Sequence, residues 1–94
     1  MQDVEVVAEI KRLLVAELNI EPELLSRADA DTPLLGLGVG LDSIDALRLA
    51  TALERQFNIQ IPDESLTAEL FSDVGTLAGY VSRQLVEQAS RREP

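Results

Sequence analysis

A chain of 94 residues carrying 17 acids against 8 bases, a formal net charge of −9, has room for one small acidic domain. That balance disfavours nucleic acid and anionic membrane as partners, because binding phosphate needs clustered Lys and Arg. The sequence has no Cys and no His, which excludes disulfides, thiolate metal sites, a thiol nucleophile and a Ser–His–Asp triad.

Phe57, Phe71 and Tyr80 are the whole aromatic set. The core must therefore be Leu, Val, Ile and Ala, which suits packed helices. A first helix is expected from about Asp3, a plausible N-cap, to about Asn19. Val7, Ile10, Leu14 and Leu18 recur at helical spacing, Val6 and Leu13 widen the stripe, and Asn19 and Pro22 end it. Pro22, Pro33, Gly36, Gly38 and Gly40 then punctuate a long connection. Leu24, Leu25, Leu34, Leu35 and Leu37 imply that this loop is packed down, and a stretch of this length in a small domain is usually functional. One turn of helix fits residues 21–26.

A second main helix is expected from Asp42 and Ser43 to Asn58. Asp42 is its cap and Asp45, three residues on, the acidic partner of a capping box. Ile44, Leu47, Ala50, Leu53 and Phe57 are its expected buried face. Residues 59–62 read as an extended connector, and Asp63 and Glu64 open a brief helix around residues 66–70. Ser72 and Asp73 offer caps for a last helix with the stripe Val74, Leu77, Ala78, Val81 and Leu85. The sum is an all-α bundle of three main helices and one short one, with a long ordered loop after the first helix. A single domain spans residues 1–94, structured over about 3–89, with a polar tail at 90–94.

Negative charge is uneven. Glu17, Glu21, Glu23, Asp29, Asp31, Asp42 and Asp45 face a single base, Arg27, across residues 17–45. The loop acids are most simply a solvated segment, with no specific metal pattern. Met1, Gln2, Asp3 and Glu5 do not read as a signal peptide, and no run approaches the ~20 apolar residues that span a bilayer. A cytoplasmic monomer with no membrane insertion is expected.

Gly40-Leu41-Asp42-Ser43-Ile44-Asp45 resembles the Gly-x-Asp-Ser-Leu/Ile attachment motif of acyl carrier proteins. Ala52-Leu53-Glu54-Arg55-Gln56-Phe57 is similar to the Ala-Leu-Glu-x-x-Phe that closes the same helix in that family. Ile59-Gln60-Ile61-Pro62-Asp63-Glu64 is similar to its Ile-Pro-Asp-Glu connector. The order fits from about Val4 to Leu85. The resemblance implies a non-catalytic carrier with no catalytic or metal residues of its own. Phosphopantetheine from coenzyme A would be attached to Ser43, beside the motif and cap residue Asp42, and would hold acyl intermediates as thioesters. It further implies as partners a phosphopantetheinyl transferase, acyl-loading and acyl-processing enzymes, and acyl chains. Asp45, Ile44, Leu47, Arg48, Glu54 and Arg55 would meet those enzymes. An anion on Ser43 would sit at a helix N-terminus, where unpaired N–H groups and the dipole favour it.

The family's recognition helix is usually rich in acids, and Arg48 and Arg55 depart from that. Three acids against two bases over residues 42–57 leave only −1. A specialised carrier for fatty-acid-like, polyketide or lipid biosynthesis is expected, rather than a general fatty-acid carrier. Two alternatives stand beside it. Peptidyl carriers usually show Gly-Gly-x-Ser, which favours acyl cargo here, and an unmodified helical interaction module would leave Ser43 as a plain helix-start residue. Gly36, Gly38 and Gly40 superficially resemble a nucleotide loop, but no strand precedes them and no Lys follows in place.

Overall fold

The computed structural model describes residues 3–36 and 38–91. It contains α1 (Asp3–Leu18), α2 (Pro22–Ser26), α3 (Ser43–Phe57), a 3-10 turn (Asp63–Ser65) and α4 (Val74–Arg91). Leu37, the residues ahead of α1 that would define its cap, and the extreme C-terminal tail lie outside the described residues. The only β-type pairing among the described residues is an isolated bridge between Leu35 and Leu41. The three long helices with one short one make the expected all-α bundle.

The aliphatic stripes explain the packing. Val6, Ile10 and Leu14 of α1 are fully buried, as are Leu49 and Leu53 of α3 and Val74, Leu77 and Val81 of α4. α1 is the shared wall and packs against both α3 and α4. It stops where Asn19 enters the left-handed region (φ 58°) and the Ile20 N–H turns back to the Leu14 carbonyl at 3.0 Å. α3 stops in the same way: Asn58 (φ 55°) lets the Ile59 N–H reach the Glu54 carbonyl at 3.2 Å, a Schellman-type end.

In the connection over residues 19–42, Leu25 and Leu34 are buried as expected and Leu35 partly so, but Leu24 is 58% exposed and does not help to pack the loop down; hydrogen bonds also hold it. Lys11 Nζ donates to the Ala28 carbonyl at 2.6 Å. The Ala30 and Thr32 carbonyls accept from the N–H groups of Gly75 (2.8 Å) and Val74 (3.0 Å). The loop thereby caps the start of α4, whose first N–H groups have no helical acceptor. The Asp73 carboxylate takes a further one, the Thr76 N–H, at 2.7 Å. Beyond Leu34, the loop closes on itself through Leu41 N–H to Leu34 O (3.0 Å) and Val39 N–H to Pro33 O (2.9 Å). Gly38 must be glycine, since a Cβ there would lie 1.9 Å from the Pro33 carbonyl oxygen.

Three further sequence expectations need correction. The turn of helix expected over residues 21–26 forms as α2, and Asp63 and Glu64 do open a short helix, but it is only the 3-10 turn Asp63–Ser65 and does not run on through residues 66–70. That segment is a series of turns, in which the Leu70 N–H bonds the Thr67 carbonyl three residues back. The buried face of α3 is Ala46, Leu49, Ala50, Ala52 and Leu53, while Ile44 and Leu47 are 68% and 51% exposed. Alanines let the helices approach closely, and they place the contact on the sector beside the bulkier pair. Phe57, at the helix end, is only partly buried against the core.

Candidate functional site

The Asp-Ser pair sits where the closed loop delivers the chain into α3. Gly40 makes the last bend in a left-handed conformation (φ 90°) that a side chain would strain. Asp42 follows in extended conformation as N-cap, and a full capping box forms. The Asp45 N–H donates to Asp42 Oδ1 at 2.8 Å, and the Asp42 N–H donates to Asp45 Oδ2 at 3.4 Å. Both acids are thus engaged in holding the helix start rigid.

Ser43 is the first residue of α3 and is exposed. The N–H groups of this first turn have no carbonyl within the helix to bond; the Asp42 carboxylate takes that of Asp45. Beside Ser43 opens a groove of about 380 Å³. Its walls are Leu35 and Leu41 from the loop, Ala46 and Leu47 from α3, and Leu66, Thr67, Ala68 and Phe71 from the turn segment. Of these walls only Leu47 was foreseen as a site residue. Two leucine-class side chains at 66 and 70 read as helix, and only the fold brings the turns against the start of α3. A larger depression, about 440 Å³, lies at the other end of α3 around Asn58, Pro62, Tyr80 and Gln84. Its polar lining and its distance from Ser43 separate it from this site.

The remaining residues named from the sequence part company. The Glu54 carboxylate faces inward and accepts from the Ile61 N–H at 2.8 Å, tying the connector to α3. Ile44, Leu47, Arg48 and Arg55 share one outer recess with Thr51 and Glu17. Arg48 Nη2 donates to the Glu17 backbone carbonyl at 3.0 Å, and Arg55 Nη2 donates to the Glu17 carboxylate at 2.9 Å. Among the described residues no group of three or more His, Cys, Asp or Glu could hold a metal ion, and no helix is long and apolar enough to cross a membrane.

The start of α3 thus presents one exposed hydroxyl next to an apolar groove, an arrangement with room for an attached group. Comparison with known proteins agrees. The family model for the phosphopantetheine attachment site matches residues 8–81. The acyl carrier protein of Wolinella succinogenes is 38% identical over 73 residues, which cover 78% of this chain and 88% of that protein. The chain belongs to the phosphopantetheine-binding acyl carrier protein family. Proteins of this family are carriers rather than catalysts, and their cofactor is covalently attached phosphopantetheine.

Proposed function

We propose that this chain carries acyl groups on a phosphopantetheine arm attached to Ser43 Oγ by a phosphopantetheinyl transferase that draws on coenzyme A. The observation behind this is the position of Ser43: exposed, first in α3, and at the mouth of the apolar groove. When attached, the arm supplies the thiol that Cys-free sequence lacks, and so holds acyl groups as thioesters.

The chain's own residues do the rest. First-turn N–H groups favour the phosphodiester anion. The Asp42–Asp45 box holds the first turn of α3 and with it the backbone of Ser43. Leu35, Leu41, Leu47 and Phe71 offer an apolar wall along which a hydrocarbon tail is screened from water. This wall supports acyl over peptidyl cargo, because a polar peptide gains little from it. The arginines on α3 support dedicated partners in fatty-acid-like, polyketide or lipid biosynthesis. A cytoplasmic monomer is the setting we infer from the sequence.

Intact-protein mass after incubation with coenzyme A, magnesium and a broad-specificity phosphopantetheinyl transferase tests the assignment. One added arm is expected on the wild type and none on Ser43→Ala. An arm on Ser43→Ala would move the site elsewhere. A wild type left unmodified, while folded and beside a carrier that is modified, would favour an interaction module.

A further inference from the structure

α3 carries two stripes at helical spacing. Ala46, Leu49, Ala50 and Leu53 are buried against the bundle. Ile44, Leu47, Arg48, Thr51 and Arg55 repeat the i, i+3, i+4, i+7 pattern on the outside, around a recess of about 300 Å³ that Glu17 closes from α1. The fold has no use for the two exposed apolar side chains, and such residues grouped on one face commonly mark a contact surface.

The charges on this stripe are ordered. Both guanidiniums are steadied by the end of α1, Arg55 on the Glu17 carboxylate and Arg48 on the Glu17 backbone carbonyl. Glu17 offers a single carboxylate to two cations, so the recess is locally positive on a chain whose net charge is −9. Arg48 uses one of its five N–H donors on that carbonyl, leaving others to face outward. Asp42 and Asp45 lie at the Ser43 end, bound to each other's backbone. With Glu54 turned inward to Ile61, the outer face of α3 runs from acids at the Ser43 end to bases.

Building on the carrier reading, we propose that this outer stripe docks partner enzymes whose contact surface places an apolar side chain against Ile44 and Leu47 and carboxylates against Arg48 and Arg55. Seven residues of helix separate the two arginines by about 10 Å, so two carboxylates some two helical turns apart would meet both. Charges fade within about 8 Å at physiological salt. The local sign at contact therefore outweighs the net charge of the whole chain in selecting a partner.

The test uses the full-length, arm-bearing chain and one acyltransferase whose entrance is lined with lysines, beside its variant with those lysines changed to glutamate. Each enzyme's rate is normalised to loading of free pantetheine. We expect the wild type to be loaded by the glutamate-lined variant with a kcat/KM at least about tenfold higher than by the lysine-lined parent, a margin that shrinks as salt is raised. The Arg48→Glu/Arg55→Glu double variant should reverse the order. Arg48→Gln/Arg55→Gln, which keeps side-chain length without charge, should show little preference, and it decides the matter if the glutamate variant fails to fold. Equal loading by the two enzymes, or a preference unchanged in the Gln pair, would mean that the arginines serve only to hold the end of α1. Arm attachment is followed separately by mass: a folded chain that takes no arm undermines the carrier reading, whereas an arm-bearing chain without charge preference undermines this docking face alone.

Discussion

Leu47 and Leu53 are the same residue type on the same helix, six positions apart, and the structure assigns them opposite fates. Leu53 is fully buried, while Leu47 is 51% exposed at the rim of the groove. Truncating Leu53 to Ala removes three carbons from a packed site and leaves a void that the alanine-lined contact with α1 cannot easily close. The cost is about 2–5 kcal/mol, against a total of roughly 5–14 kcal/mol for a domain of this size. A loss near 3 kcal/mol would lower the melting temperature by about 15 °C. Leu47→Ala removes the same atoms from a surface that water already reaches, and should cost no more than about 1 kcal/mol. Urea unfolding followed by far-UV circular dichroism gives both values, provided the m-value is unchanged so that the two transitions are comparable. Equal destabilisation by the two variants would refute the orientation of α3. It would restore the face expected from the sequence, which buries Leu47 and Leu53 together.

The closed loop makes a second test. Gly38→Ala forces a Cβ against the Pro33 carbonyl and should destabilise by at least about 1 kcal/mol in the same urea assay; unchanged stability would mean that the loop is not closed there. A third concerns acid. Hydrogen bonds from the backbone and side chain of Thr76 hold the Asp73 carboxyl below its usual pKa. A depressed folded-state pKa adds stability above the unfolded-state value, near about 3.9, and loses it as pH falls through the folded-state value. Asp73→Ala should therefore be less stable than wild type at neutral pH, with the gap closing below about pH 4. A gap that widens in acid would contradict this.

What could be foreseen from the sequence followed the range of the interactions involved. The capping box of Asp42 and Asp45, the Asp73 cap and the left-handed asparagines at 19 and 58 all act within a few residues, so residue type and spacing reveal them. The stripes of α1 and α4 were legible because large aliphatic residues mark them without competition. α3 was not, because its inner face is half alanine and its outer stripe carries Ile44 and Leu47. Weighting positions by bulk selects the wrong sector there. The groove was also invisible, since Leu35, Leu41, Leu66 and Phe71 share no local pattern and meet only in the folded chain. Likewise, nothing in the sequence tells that Ala30 and Thr32 supply carbonyls to α4, or that Glu54 reaches back to Ile61.

On the attachment and docking proposed above, one helix would let carrying and recognition vary independently. Its N-terminus, fixed by the capping box, presents Ser43. Its inner stripe, through Leu49 and Leu53, supplies much of the packing against α1. Its outer stripe faces solvent and contributes little to the core, since the surface contact between Arg55 and Glu17 stabilises only weakly. On the docking proposed above, substitutions on the outer stripe would change which enzymes the carrier meets while the helix start and the core stay intact. Arg48 and Arg55 are exposed and their hydrogen bonds both go to Glu17 at the end of α1, so replacing them should cost little stability.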